Sequence, residues 1–134
     1  MNDDLVYVDS SAFVKLFLPE PESPALTSYL TSRTHRVSAT LLRTEALRAA
    51  VRAVLSPQRM ILVRMLLDGL SFIPADATLA DEAGLLRPPD LRSLDAIHLA
   101  AARSLGSRLG GLITYDQRLA AAAAWYGLRV VSPS

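Results

Sequence analysis

A short apolar run that ends at a carboxylate is the feature that most constrains the fold. Residues 5–8 read Leu-Val-Tyr-Val, and Asp9 follows them directly. A continuous apolar run of this length predicts a strand buried on both faces, which is typical of a parallel sheet. Asp9 would then lie at the carboxyl end of the strand, where open α/β sheets place their ligand sites. Ser10 and Ser11 come next and are expected to cap a helix.

Strand and helix signals alternate along the rest of the chain. We expect further strands at 36–39, 70–74, 112–115 and 129–131. The predicted helix starts are marked by Ser23-Pro24, Thr40, Ser56-Pro57, Asp76, Ser93 and Asp116. This alternation predicts an α/β fold, a three-layer α/β/α sandwich around a short, mostly parallel central sheet. Because no repeat, low-complexity segment or linker interrupts the pattern, we expect one domain over residues 1–134.

The composition excludes several classes of protein. Hydrophobic residues make up 51% of the 134 residues, which excludes a disordered chain. There is no cysteine, so disulfides, thiolate metal sites and a cysteine nucleophile are excluded. The net charge of +1 gives no global argument for a nucleic-acid partner. Residues 1–4 are acidic rather than signal-like, and no apolar run is long enough to span a membrane, so we expect a cytoplasmic protein with no membrane partner.

Four carboxylates occupy positions that suit a shared site. Asp9 and Asp116 each end a predicted strand, and parallel strands share one carboxyl edge. Asp95 lies in the first turn of a helix, and Glu45 lies in a helix that is otherwise apolar and basic. Both can reach the same edge from flanking helix N-termini, whose dipoles favour ionised carboxylates. Each residue also has a simpler interpretation as a helix cap or as an exposed helix residue.

Carboxylates that converge in a crevice repel one another unless a cation neutralises them. With oxygen ligands alone, Mg²⁺ or Mn²⁺ is the expected ion, and such a site suits phosphoryl chemistry. His98 follows Asp95 by three residues and can share its helix face, although a packed histidine is the simpler interpretation. Ser10 and Thr114 can hold a site carboxylate or a water, or can satisfy backbone groups at strand ends.

Four short motifs, in this order and spacing, resemble the acidic motifs of PIN-domain ribonucleases. They are Val8-Asp9-Ser10-Ser11-Ala12, Thr44-Glu45, the segment 94–100 (Leu-Asp-Ala-Ile-His-Leu-Ala) and the segment 113–116 (Ile-Thr-Tyr-Asp). The small size and the opening VDSSAFVKLF are most similar to VapC-type toxins of bacterial toxin–antitoxin pairs. The resemblance implies an endoribonuclease dependent on Mg²⁺ or Mn²⁺ that cuts structured RNA, commonly a transfer or ribosomal RNA. It also implies a homodimer and a cognate antitoxin protein that blocks the site.

The resemblance also assigns roles to individual residues. Asp9, Glu45, Asp95 and Asp116 would form the acidic catalytic site, with Asp9 and Asp95 as metal ligands and Asp116 supporting the metal or its waters. Glu45 would bind metal or orient the attacking water. Thr114 matches the small hydroxyl residue that the family has two places before its last aspartate. Some relatives have a further acidic residue shortly afterwards, whereas residues 117–120 here contain none.

Two further segments gain an expected use from this resemblance. The predicted helix 57–67 is apolar nearly all round, which indicates that it is buried or faces a partner. We expect it to form a groove for the antitoxin or to pack at the dimer interface. Four arginines are expected to line an RNA path beside the carboxylates. They are Arg43, Arg48, Arg52 and Arg92.

Other functions remain compatible with the residues alone. The acidic cluster could be structural, in a non-catalytic binding or assembly module, and PIN nucleases also act in RNA processing outside toxin systems. A receiver-type phosphoacceptor domain also gathers aspartates at strand ends. It usually needs a lysine late in the chain, and Lys15 is the only lysine here.

Overall fold

The computed structural model describes residues 5–134. Within this range the strands are Leu5–Val8 (β1), His35–Ala39 (β2), Ser71–Ile73 (β3), Gly111–Ile113 (β4) and Val130–Val131 (β5). The α-helices of the same range are Ser10–Val14 (α1), Ser23–Thr31 (α2), Leu41–Arg52 (α3), Pro57–Asp68 (α4), Ala77–Gly84 (α5), Ser93–Ser104 (α6) and Gln117–Trp125 (α7). A short 3₁₀ helix covers Gly106–Arg108. Each predicted strand is present: β1 has the predicted bounds, and the bounds of the others differ from the prediction by one or two residues.

The five strands form one sheet in the order β3-β2-β1-β4-β5, and every pairing is parallel. The predicted parallel sheet is therefore confirmed. β1 lies at the centre and pairs with β4, with Val8 opposite Ile113. Asp9 and Thr114, the residues that follow this pair, consequently leave the sheet at the same carboxyl edge.

Two hydrophobic cores cover the two faces of the sheet. Alternate residues of a strand point to opposite faces, so Tyr7 and Leu112 pack with α5, α6 and α7. Val8 and Ile113 pack with α1, α2, α3 and α4. The central strand is apolar throughout because both of its faces are covered, and the predicted three-layer sandwich is confirmed.

The helix starts agree with the sequence only in part. Ser56 and Asp76 cap α4 and α5 as predicted, each accepting a hydrogen bond from a backbone N–H three residues later. The expectation that Ser10 or Ser11 caps α1 is wrong, because the Asp9 carboxylate occupies that position and accepts from the Ala12 N–H.

Two further cap assignments are wrong, and a third is right in position only. Ser23 is the first residue of α2, and its hydroxyl donates to the Lys15 carbonyl at 2.7 Å instead of capping the helix. Thr40 is the N-cap residue of α3 as predicted, but its side chain makes no cap bond. Ser93 lies inside α6, and Arg92 precedes that helix, again without a side-chain cap. A serine or threonine beside a helix start can bond to other nearby backbone groups, so its presence alone does not fix the cap.

Helix α4 is divided between the core and the surface. Val63 and Leu67 are fully buried against the sheet. Ile61, Leu62 and Met65 are exposed, Met65 by 66%. The sequence allowed two interpretations of this apolar helix, burial in the core or contact with a partner. Burial does not explain all of it, because three of its large apolar side chains face away from the core.

Candidate active site at the carboxyl edge of the sheet

Asp9 is a buried carboxylate held by donors from α1 and from Thr114, the residue that follows β4. It follows β1, is 2% exposed, and accepts from the Ala12 N–H at 2.9 Å. The Ser11 hydroxyl lies 2.8 and 2.9 Å from its two oxygens, and the Thr114 hydroxyl donates to Oδ2. Burial raises the pKa of Asp9 above its ordinary range, and the bonds from Thr114, Ala12 and Ser11 act against that rise.

The two hydroxyls that hold Asp9 are themselves fixed by the backbone. Ser11 Oγ accepts from the Tyr115 N–H at 2.9 Å, and Thr114 Oγ1 accepts from the Asp116 N–H at 3.0 Å. Each hydroxyl has a single proton, so the backbone donors leave that proton free to point at Asp9. The prediction for Thr114 as a residue that holds a site carboxylate agrees with this geometry. Ser11 performs the same task, which the sequence analysis had assigned to Ser10.

Asp116 combines a structural bond with an open oxygen. It precedes α7, and its Oδ1 accepts from the N–H groups of Arg118 and Leu119 at 2.9 and 3.1 Å. Within residues 5–134 no donor reaches its Oδ2. Asp116 is therefore a helix cap, as its simpler interpretation has it. The cap uses only one carboxylate oxygen, so the other is available to a ligand.

Asp95 lies among other charges in the first turn of α6. It is half-buried, and its carboxylate accepts no hydrogen bond from the described part of the chain. Burial raises the pKa of Asp95, and the negative charges of Asp116 and Glu45 raise it further, while His98 and Arg92 act in the opposite direction. The mutual repulsion means that these carboxylates share one electrostatic site.

A chain of buried hydrogen bonds connects Tyr7 to Glu45 through His98. His98 Nε2 lies 2.7 Å from Glu45 Oε1, and His98 Nδ1 lies 2.6 Å from the Tyr7 hydroxyl. Burial raises the pKa of Tyr7 far above its ordinary value, so Tyr7 keeps its proton, and with a neutral imidazole its hydroxyl donates to Nδ1. The remaining imidazole proton is then on Nε2 and points at Glu45. His98 is thus more than the packed histidine of the simpler interpretation, and nothing in the sequence pattern pointed to Tyr7.

The donor set can be compared with what a divalent cation requires. The carboxylates offer oxygen atoms only, and Asp95 and Asp116 have oxygens without protein donors in residues 5–134. Within the same range, no three acidic or histidine side chains are grouped so as to hold a metal ion by themselves. Mg²⁺ is commonly bound by one or two carboxylates together with water and substrate phosphate, so the residues fit such an ion.

A groove of about 770 Å³ opens beside this edge, between α1 and α3. Its lining includes Ser11 and Glu45 of the site, and the basic side chains Lys15, Arg48 and Arg52. Glu45, Arg48 and Arg52 follow one another at helical spacing on one face of α3. The groove therefore leads from the acidic site along a basic wall.

Two of the four arginines expected on the RNA path, Arg43 and Arg92, do not line this groove. Arg43 Nη2 is 3.3 Å from Asp68 Oδ1, and its guanidinium lies over the Phe72 ring. Arg92 stands at the start of α6, where its charge acts on Asp95. Neither is among the residues that line the groove.

No helix of residues 5–134 is long and apolar enough to cross a membrane.

Comparisons with known proteins agree on one family. The family model of the PIN domain matches residues 6–124. Among curated proteins, ribonuclease VapC46 of Mycobacterium tuberculosis is 46% identical over 129 residues, covering 96% of this chain and 98% of that protein. Ribonuclease VapC47 of the same species is 37% identical over 133 residues, covering 96% and 97%. The crystal structure of M. tuberculosis VapC20, described as a sarcin-ricin loop cleaving toxin, superposes with a TM-score of 0.76 at 18% identity, covering 96% of this chain and 99% of that one.

Proposed function

Because this chain belongs to the PIN domain family and is related along nearly its whole length to the VapC ribonucleases, we propose that it is an endoribonuclease toxin of that type. Its substrate would be a structured RNA, and the reaction would be hydrolysis of a phosphodiester bond. The observation that carries the proposal is the half-buried Asp95 carboxylate, which lies within the field of Asp116 and Glu45 and has no hydrogen-bond donor from residues 5–134. A bound cation would stabilise such a carboxylate. The site therefore suits a reaction that uses a cation.

We propose Mg²⁺ or Mn²⁺ as the cofactor at the site formed by Asp9, Asp95 and Asp116, held directly by one or two of these carboxylates, with water and RNA phosphate completing its shell. When bound, the ion would lower the pKa of water and offset the negative charge that develops at phosphorus. Oxygen-only donors and the open oxygens of Asp95 and Asp116 support this choice. Asp9 differs from the other two, because its oxygens are already held by Ser11, Thr114 and the Ala12 N–H.

Glu45 is proposed to orient the attacking water and to accept its proton. Water oxygen would form the new bond to phosphorus, the bond from phosphorus to a ribose oxygen would break, and that oxygen would take up a proton from solvent. The imidazole of His98 fixes Glu45 Oε1 at 2.7 Å, so Oε2 is the oxygen free to face the water. Holding the general base in one orientation lowers the entropic cost of reaching the transition state.

The groove beside the site is the proposed RNA path. Arg48 and Arg52 line it, and their charges match the phosphate backbone, whereas Lys15, which also lines it, is paired with Glu22 at 3.3 Å. Arg92 would act at the edge of the site beside Asp95. Arg43 has no part in this path, since Asp68 and Phe72 engage it on another side of α3.

We further propose a homodimer and an antitoxin partner, and a cytoplasmic location where the RNA substrate occurs. The exposed apolar side chains of α4 support an assembly surface, because Ile61, Leu62 and Met65 lie within about one turn of each other and a contiguous exposed apolar patch marks an interaction site. The antitoxin would act by occupying the groove or by covering the acidic site. Leu66, in contrast with Met65, packs partly against the core and is less suited to report on assembly.

The proposal is tested by cleavage of total cellular RNA with the purified chain, in Mg²⁺ or Mn²⁺, with a chelator, and with Asp95→Asn in parallel. Discrete fragments that need both the cation and Asp95 are expected. Sequencing the cut ends would identify the RNA. Cleavage that persists in the Asp95→Asn protein would contradict the assignment of the site, and folded protein that cuts no RNA in either cation would favour a binding module.

A further inference from the structure

A second pocket, of about 460 Å³, lies between one face of α7 and the loop 87–91. Arg118, Ala121, Ala122 and Trp125 line it from the helix. Their spacing of three and four residues places them on one side of α7. No step of the proposed hydrolysis uses this pocket, although α7 begins directly after Asp116.

Trp125 gives the pocket a flat aromatic wall. It is the only tryptophan in the chain, and it is 70% exposed. The small side chains of Ala121 and Ala122 leave room beside the indole for a planar ligand. An exposed aromatic group at the rim of a cavity is the usual platform for stacking an unpaired base.

Three charged side chains surround this wall and are unpaired in the described structure. Arg87, Asp90 and Arg118 line the pocket, all are exposed, and within residues 5–134 none makes an ion pair. Two guanidinium groups can bind phosphate oxygens. The Asp90 carboxylate is an acceptor only, so it requires N–H donors from the ligand.

We propose that this pocket binds an unpaired guanine nucleotide of the RNA substrate, an inference that rests on the proposed ribonuclease function. Guanine would stack on Trp125, and Arg87 and Arg118 would hold its phosphates. The Watson–Crick edge of guanine carries adjacent N1–H and N2–H donors, which match the two oxygens of Asp90. Adenine, cytosine and uracil each place an acceptor beside their donor on that edge, so the carboxylate disfavours them.

The position of the pocket makes it a specificity site. Trp125 lies nine positions after Asp116, which corresponds to about 13.5 Å along a helix with a rise of about 1.5 Å per residue. At about 3.4 Å per stacked nucleotide, this distance spans about four nucleotides, and fewer in an extended strand. The guanine would therefore lie a few nucleotides away from the bond that is cut.

The single tryptophan provides a direct test on the full chain. Titration with guanosine, adenosine, cytidine and uridine monophosphates should quench the Trp125 emission saturably, and most strongly for the guanosine nucleotide. Asp90→Asn should abolish this preference, and Arg118→Ala should weaken binding, whereas Arg108→Ala on the 3₁₀ helix should leave it unchanged. No saturable quenching by the guanosine nucleotide would overturn the proposal, and equal quenching by all four would overturn the assignment of guanine.

Variants of Trp125 are followed by chemical-shift titration of the backbone amides with guanosine monophosphate. Trp125→Ala should weaken binding about 5- to 150-fold, the loss expected for one stacked base, and Trp125→Phe should restore most of it. Unchanged binding in Trp125→Ala would contradict stacking. Neither experiment depends on RNA cleavage, so its failure is distinguishable from failure of the ribonuclease proposal.

Discussion

His98 Nε2 lies 2.7 Å from Glu45 Oε1, and this hydrogen bond joins helices that belong to opposite layers of the sandwich. Glu45 is on α3, which packs on one face of the sheet, and His98 is on α6, which packs on the other. The two side chains meet beside Tyr7 of β1, whose hydroxyl pairs with His98 Nδ1. The position of Glu45 is thereby tied to both cores rather than to its own helix alone.

Removing the Tyr7 hydroxyl should weaken the hydrogen-bonded chain that holds His98 and Glu45 in place. In Tyr7→Phe the buried Nδ1 of His98 loses its donor, and we expect the free energy of unfolding to fall by about 1 to 3 kcal/mol, the usual cost of an unsatisfied buried polar group. Denaturant titration measures the loss. Cleavage should fall as well, because His98 no longer has a single preferred tautomer toward Glu45.

A matched hydroxyl deletion is available in Tyr29→Phe. Tyr29 lies on α2, and the structure gives its hydroxyl no hydrogen bond within residues 5–134. This variant should keep the stability and the activity of the parent chain. Equal losses in the two variants would show that the Tyr7 hydroxyl has no special role.

Much of the fold could be predicted because strong local signals coincide with it. The apolar run 5–8, the proline that follows Ser56 and the glycine that ends α4 each specify structure through nearest neighbours. The grouping of Asp9 with Asp116 followed from one topological fact, the parallel pairing of β1 with β4. Sequence order alone does not show that β1 and β4 are neighbours. From the sequence, the two aspartates are therefore expected to be close only if their strands are adjacent.

The remaining parts of the site depend on long-range contacts. Tyr7 looks like a core residue of β1, and its bond to His98 spans 91 residues. Ser11 and Thr114 meet at Asp9 across more than 100 residues. Ser10 and Ser11 are equivalent by composition, so only the direction of the first turn of α1 decides which of them faces the carboxylate.

Neutralising Asp95 should stabilise the protein at neutral pH. The pKa of Asp95 in the folded chain is raised, so between its ordinary value of 3.8 and that raised value the folded state holds more protons than the unfolded state. Stability therefore falls as pH rises through this window. Asp95→Asn removes the penalty, and we expect a gain of less than about 1 kcal/mol, because the group is half exposed.

Thermal unfolding in chelator at several pH values checks this expectation. The gain should vanish below the ordinary carboxyl range, where Asp95 is protonated in both states. Asp81→Asn on the exposed face of α5 serves as the control and should change little. A destabilised Asp95→Asn protein at neutral pH would show that the carboxylate makes a favourable contact instead.

Divalent cations should stabilise the parent chain by mass action. At a Mn²⁺ concentration of ten times Kd, binding to the folded state alone adds about 1.4 kcal/mol to the free energy of unfolding. Asp95→Asn and Asp116→Asn should each reduce this increment, because each removes an open carboxylate. Thermal shift against cation concentration measures it, and an identical shift in parent and variants would place the cation elsewhere.

The basic wall of the groove should determine the salt dependence of RNA binding. Arg48→Ala and Arg52→Ala should each lower the slope of log K against log salt by about 0.7 to 0.9, the value of one phosphate contact. Arg43→Ala is the matched control on the same helix, because Arg43 pairs with Asp68. Binding is measured with the Asp95→Asn chain, which prevents cleavage, and an unchanged slope in both groove variants would exclude this path.

A charge on the exposed face of α4 should disrupt assembly without unfolding the monomer. Met65 is 66% exposed, so Met65→Glu removes no core contact of the isolated chain. In a dimer that covers this face, the same carboxylate would be desolvated without a partner, which costs several kcal/mol. Light scattering should therefore show a shift toward monomer, while circular dichroism and the unfolding midpoint of the monomer stay close to those of the parent.

Arg64→Glu, an exposed charge change on the neighbouring residue, separates a general effect of charge from loss of the apolar contact. A Met65→Glu protein with the molar mass of the parent would remove α4 from the interface.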